Sequence, residues 1–301
     1  MPKISLEPLL NKIEHSNSFE KCKYIPDNSL DIIFCDPPTI NNLNDKKLNN
    51  WNNKKDYKQS FQTFINICAS KLKKTGIFYL IGEPSELICI TNFLEENGFF
   101  CKASYFFKKN KKNSVGKRIK DSTKTIQTID VIYVFIRDIH KKVKKLLKVK
   151  QDELQKSSKD INVLLNGNSN GGGYWSLYCG DNSNNILPNE NHWNILKDYL
   201  QIDINYNDIV PQFIEWNGTD FWEDITSSND KFLCGTNRPM SLYDRLIKMN
   251  KNDPNVLTCW DPFTGYGNCV NVMKKLGCTF YACEYDMKIY YKSVLQNADE
   301  S

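Results

Sequence analysis

Residues 29–42 read SLDIIFCDPPTINN, an apolar run that ends in an acid, two prolines and a threonine. The chemistry this stretch offers is hydrogen-bond acceptance at a defined separation. Successive prolines lock φ at about −65° and carry no N–H, so the loop keeps one shape. Asp36 and the backbone carbonyl of Pro37 are then two acceptors held together. That pair suits an amino group with two N–H donors, such as adenine N6 or cytosine N4. A simple strand-ending turn uses the same residue types, so the stretch decides nothing alone.

A second stretch adds to it. VLTCWDPFTGYGN (256–268) places Asp261 at a strand end, then Gly265 and Gly267, then a helix start. Glycines there admit positive φ and close approach of a ligand to the backbone, and a helix N-terminus can receive a carboxylate. About twenty residues further on, TFYACEYD ends with Glu284, placed to accept both hydroxyls of a ribose. The GxGxxG spacing of a nicotinamide site is not present.

Such loops need a frame. The segments LDIIFCD (30–36), GIFYLIG (76–82), FFCKASYFF (99–107), IDVIYVFI (129–136), VLTCWD (256–261) and TFYACE (279–284) read as strands. Helical patterns lie at 57–73, 85–97, 241–250 and 268–277. This alternation predicts an α/β fold, a doubly wound and mostly parallel sheet covered on both faces. The strands at 99–107 and 129–136 have no good helix between them and are expected to be antiparallel. Residues 140–160 read as a charged helix or linker, 166–176 as turn-forming, and 177–234 show no clean period. Trp175, Trp193, Trp216 and Trp222 are expected in the core.

Charge is unevenly spread. The 301-residue chain carries a net +5, yet residues 102–150 alone hold sixteen Lys/Arg against three Asp/Glu. A concentrated basic segment on an otherwise acidic chain suggests contact with a polyanion. The loop KKNKKNSVGKR, with Lys108, Lys109, Lys111, Lys112, Lys117 and Arg118, is the candidate phosphate-tracking element. The eleven cysteines show no CxxC spacing, so they indicate reduced core residues of an intracellular protein (cytoplasm or nucleoid, or a nucleus) and no metal site. No apolar stretch approaches the ~20 residues of a membrane span, and MPKISLEPLLNKIEHS lacks the layout of a signal peptide.

In their order and spacing, DNSLDIIFCDPPT, GTNRPMSLYDRLIKM, DPFTGYGN and CEYD resemble the β-group of S-adenosylmethionine-dependent DNA amino-methyltransferases, which act on adenine N6 or cytosine N4. The resemblance covers roughly 13–136 and 232–295. It implies a class I methyltransferase (Rossmann-like) fold, circularly permuted, with a target-recognition region inserted. The corresponding domains are a catalytic half at 1–139, an insert at 140–231 and a cofactor half at 232–301.

Carried over residue by residue, Asp36, Pro37 and Pro38 would hold the target amino group, with Thr39 at the position facing the flipped base. Asp261, Phe263, Gly265 and Gly267 would shape the S-adenosylmethionine pocket, with Asp36 at its edge, and Glu284 would bind its ribose. Thr236, Asn237 and Arg238 match the family's TQK, near the cofactor carboxylate, and Asn17 falls where many members place an acid for its adenine. An acid at the head of the hook goes with adenine in this family.

The chain also departs from the pattern. Thr39 replaces an aromatic ring that stacks on the flipped base, and Tyr266 and Asn268 replace Ser and Thr. In one reading Trp51 or Tyr57 takes over the stacking in a working DNA adenine-N6 methyltransferase of restriction-modification type, alone, as a homodimer or with a partner methyltransferase subunit. The alternatives are a catalytically inactive, nucleic-acid-binding subunit that supports an active partner, or methylation of cytosine N4 or RNA.

Overall fold

The structure is a computed structural model that describes residues 10–38, 54–108, 128–167, 173–180, 186–225 and 238–298. Eight strands form one sheet: β1 (Ile13–His15), β2 (Leu30–Cys35), β3 (Leu72–Gly82), β4 (Phe99–Lys108), β5 (Ile129–Arg137), β6 (Phe221–Trp222), β7 (Thr258–Asp261) and β8 (Thr279–Glu284). Their spatial order is β1-β8-β7-β2-β3-β5-β4-β6. From β1 to β3 every neighbouring pair is parallel. β5 enters beside β3 and runs antiparallel to it, and β6 is parallel to β4.

The centre of the sheet is apolar on both sides because both sides are covered. Alternate residues of β2 and β3 point to opposite faces. Ile32, Phe34, Ile77 and Tyr79 join Leu242 and Leu246 of the helix Met240–Lys248 and Val270 and Met273 of the helix Asn268–Lys275. Ile33, Cys35, Phe78 and Leu80 join Phe61, Phe64 and Ile65 of the helix Lys54–Lys71 and Leu87 and Ile90 of the helix Pro84–Glu96. Truncating any of the Leu, Ile, Met or Phe side chains among these to alanine costs ~2–5 kcal/mol.

β2 and β7 are neighbours, but the chain continues from β2 to β3 on one side and from β7 to β8 on the other. The direction of winding reverses between them, and at such a point the loops leave a crevice beyond the carboxyl ends of the strands.

The chain divides into two compact units, residues 1–136 with 212–301, and 137–211. The second unit spans 137–211, against the 140–231 expected for the insert. Gln212 already belongs to the sheet unit, where its N–H donates to the Thr75 carbonyl at 3.0 Å, and β6 then extends the sheet. The 137–211 unit has its own core, with Leu147, Ile161, Trp175, Trp193 and Leu196 at its centre. Its helix Glu190–Tyr199 starts on Asn189, whose side chain accepts from the His192 N–H. Trp175, Trp193 and Trp222 are buried as expected, whereas Trp216 is exposed with the Arg245 guanidinium 4.2 Å from its ring. Ten cysteines lie among the described residues, all free thiols, and eight of them are buried.

Candidate active site

The site is assembled by strand ends. β2 finishes at Cys35, and Asp36 is the first residue past it; β7 finishes on Asp261 and β8 on Glu284. All three strands are parallel, so the three acids leave the sheet at one edge. Asp36 and Asp261 flank the reversal point.

Asp36 is gripped by Arg238. Nη2 donates to Oδ1 at 3.1 Å, and Nε lies 3.0 Å from Oδ2. The same guanidinium donates from Nη1 to Oδ2 of Asp130 at 2.6 Å, and Asp130 is completely buried at the start of β5. Burial works against the charge on Arg238, but Asp36 and Asp130 outweigh it and raise its pKa. The structure pairs Arg238, which the resemblance placed near the cofactor carboxylate, with two carboxylates of the chain itself. Tyr243, packed edge-on against Phe34, is buried in the same neighbourhood and stays protonated, because burial and then Asp36 raise its pKa.

Pro37 is buried and Pro38 half-buried. The Pro38 carbonyl accepts from the Tyr57 hydroxyl at 3.2 Å. Tyr57 is only 1% exposed, and its ring packs 4.6 Å from that of Phe61. It braces the hook from beneath, so it is not the substitute stacking ring. Thr39 and Trp51 lie outside the described residues, as do Thr236, Asn237, Lys109, Lys111, Lys112, Lys117 and Arg118. Lys108 ends β4 with its side chain exposed.

On the other side of the crevice, Asp261 is buried. Its pKa is pushed up to about 8, first by loss of water and then by the nearby Asp36 and Glu284, although the Phe263 N–H donates to Oδ1 at 3.3 Å. The turn that follows is fixed to its neighbours. Glu284 accepts from the Gly265 N–H at 2.9 Å and from the Asp286 N–H at 2.7 Å, and burial raises its pKa. Gly265 and Gly267 have φ of 57° and 89°. A Cβ at Gly267 would fall 2.4 Å from Nδ2 of Asn297, so this position needs glycine for both its backbone and its packing. Phe263 anchors the turn in the core against Phe64 at 5.6 Å and Phe61 at 5.9 Å. Tyr266 has Lys292 of the helix Met287–Ala298 5.5 Å from its ring centre. Asn17 caps the short helix Ser18–Lys21 by accepting from the Phe19 N–H, and the next side chain, Ser18, donates to the Pro262 carbonyl. The loop after β1 is thereby stitched to the glycine turn.

Asp130, Tyr57 as a brace and Asn268 are the parts that sequence reasoning missed. Asn268 Nδ2 donates to the Arg238 carbonyl at 2.8 Å, and its Oδ1 accepts from Gln296. One sign of Asp130 was legible, a lone acid inside an otherwise apolar strand pattern.

The family model described as DNA methylase, the N6/N4 methyltransferase family, matches residues 30–295. The chain belongs to this family. Solved structures agree on the fold. M1.HpyAVI, in its complex with SAM, is 16% identical with a TM-score of 0.51, covering 95% of this chain and 98% of its own. TTHA0409 from Thermus thermophilus, complexed with S-adenosyl-L-methionine, is 14% identical with a TM-score of 0.51, covering 95% of this chain and 93% of its own. The PvuII DNA methyltransferase, specific for cytosine N4, is 14% identical with a TM-score of 0.51 and covers 96% and 87%. No curated protein matches. Among the described residues, no helix is long and apolar enough to cross a membrane.

Proposed function

We propose that this member of the family transfers the methyl group of S-adenosylmethionine to the exocyclic N6 of an adenine flipped out of duplex DNA. The observation that carries this reading is the meeting of the Asp36 hook and the glycine turn across the reversal point, at the ends of adjacent parallel strands. Bound there, S-adenosylmethionine supplies a methyl group activated on a sulfonium sulfur. The residues on that side fit it. Glu284 is a carboxyl for its ribose hydroxyls, Asp261 lines the same crevice, and Gly265 and Gly267 of the turn that follows Asp261 adopt positive φ.

The chain's own part is geometric and electrostatic. The Asp36 carboxylate accepts one N–H of the target amino group, and the Pro37 carbonyl is the proposed acceptor for the other. Acceptance on both bonds draws the nitrogen toward tetrahedral geometry and frees a lone pair otherwise conjugated with the ring. A stacked base cannot enter such a crevice, so it must leave the helix first. Asp at the head of the hook supports adenine over cytosine. Lys108 and the basic loop after it are assigned to phosphates, and the 137–211 unit to target recognition.

The test is labelled S-adenosylmethionine incubated with purified protein and duplex DNA of mixed sequence, followed by digestion to nucleosides. N6-methyladenine is expected, and Asp36→Ala should remove it. Recovery of N4-methylcytosine, or labelling of RNA alone, would replace the substrate. DNA binding without transfer under any condition would replace the enzyme by a supporting subunit. In an active enzyme Thr39→Tyr adds a stacking ring worth ~1–3 kcal/mol per base, so turnover at low DNA concentration should rise about tenfold.

A further inference from the structure

Asp130 occupies a place in the sheet where an apolar residue is the ordinary choice. It is completely buried near the start of β5 and is followed by Val131 and Ile132, both also fully buried. A carboxylate in such surroundings is costly unless a cation and hydrogen bonds meet it. The cation is Arg238, whose Nη1 donates to Asp130 Oδ2 at 2.6 Å while Nη2 and Nε face the two oxygens of Asp36 at 3.1 and 3.0 Å. In the sheet β5 is separated from β2 by β3, whose last residue, Gly82, pairs with Val131. One guanidinium therefore ties the loop after β2 to a strand two places away. Its backbone is pinned too, since the Arg238 carbonyl accepts from Asn268.

We propose that Arg238 is a positioning residue for Asp36, that Asp130 holds Arg238 in that role, and that neither contacts the methyl donor. This rests on the reading of Asp36 as acceptor of the target amino group. A guanidinium is a rigid planar group, so the Nη2–H hydrogen bond to Oδ1, with Nε close to Oδ2 as an ion pair, restrains the rotation of the Asp36 side chain as well as its place. A lysine would supply charge without that orientation. The charge balance also argues against a second duty: one guanidinium already faces two carboxylates, which leaves it little attraction for a third.

The experiment measures two quantities on each variant: kcat for methyl transfer at saturating S-adenosylmethionine, and the Kd of S-adenosylmethionine by titration calorimetry, which needs no turnover. Arg238→Met should lower kcat about a hundredfold, the scale of a misplacement of about 1 Å at a reacting centre. Asp130→Asn keeps the size and one acceptor oxygen, and should lower kcat about tenfold. Arg238→Lys should recover part of the loss. In all three the Kd should stay within about twofold of wild type. If Arg238→Met does not melt cooperatively, Asp130→Asn carries the test.

An Arg238→Met protein that keeps wild-type kcat at saturation but binds S-adenosylmethionine much more weakly would overturn the proposal and restore a cofactor role. Wild-type kcat in Asp130→Asn would remove Asp130 from it. A wild-type protein that transfers no methyl group is a separate result, visible before any variant is made; it would overturn the catalytic reading and this proposal with it.

Discussion

The molecule places the same dipeptide at two neighbouring strand ends and treats the two copies differently. Asp36-Pro37 follows β2, and Asp261-Pro262 ends β7 and begins the turn after it. Asp36 is half-buried and paired with a guanidinium. Asp261 is buried and meets a backbone amide, and loss of water with two other acids nearby pushes its pKa up to about 8. At neutral pH the second carboxyl therefore keeps its proton in the free chain for much of the time. An acid at a strand end is only a place for a charge. Whether the charge is present depends on what the fold brings beside it.

Three substitutions press on this contrast, from the strongest effect to the weakest. Asp36→Asn keeps the shape of the hook but removes its charge and leaves Arg238 with Asp130 as its carboxylate partner. Methyl transfer should fall about a hundred- to a thousandfold, measured in single turnover, as when one polar group aimed at the reacting atoms is lost.

Asp261→Asn acts on stability, and its sign follows from linkage. The folded-state pKa of about 8 lies above the reference value of 3.8. Between those values the folded chain holds a proton that the unfolded chain has released. The contribution of Asp261 to stability is therefore complete at low pH and is lost as pH rises toward the folded pKa. Asparagine does not titrate. Wild type and variant should have similar urea midpoints near the acid end of this window, and at pH 8 the variant should be the more stable, by on the order of a few kcal/mol. Parallel pH profiles for the two proteins would show that Asp261 is not held protonated.

Tyr57→Phe removes the brace under Pro38 with little change of volume. The loss should be ~1 kcal/mol, the net worth of one neutral hydrogen bond, read from the urea midpoint. A larger drop in methyl transfer than in stability would show that the brace sets the geometry of the hook.

Much of the frame was legible. Six strands were readable from their sequences: five because a strand covered on both faces has to be apolar, and β4 from its aromatic residues, although its Cys101 and Lys102 are exposed. β1 and β6 were not, being three and two residues long and too short to show any alternation. The helix Met287–Ala298 escaped notice because Tyr291 and Leu295 are exposed on it and blur the helical period. In the 137–211 unit the charged pattern at 140–160 was read as a helix or linker and is the helix His140–Glu153, whereas the helix Tyr174–Cys179 was hidden because it has only six residues, too few to show a period.

Within the site, residue type and order along the chain were enough to mark Asp36, Asp261, Gly265, Gly267 and Glu284. They are local facts, since a proline after an acid or a glycine at positive φ constrains its own few bonds wherever the chain goes. Tertiary structure alone decided that Arg238 faces Asp36, that Asp130 stands behind it, that Tyr57 donates to the hook, and that burial raises the pKa of Asp261. Those outcomes depend on distances between residues as many as 202 positions apart and on the exclusion of water around them, and both come into being only when the sheet has formed.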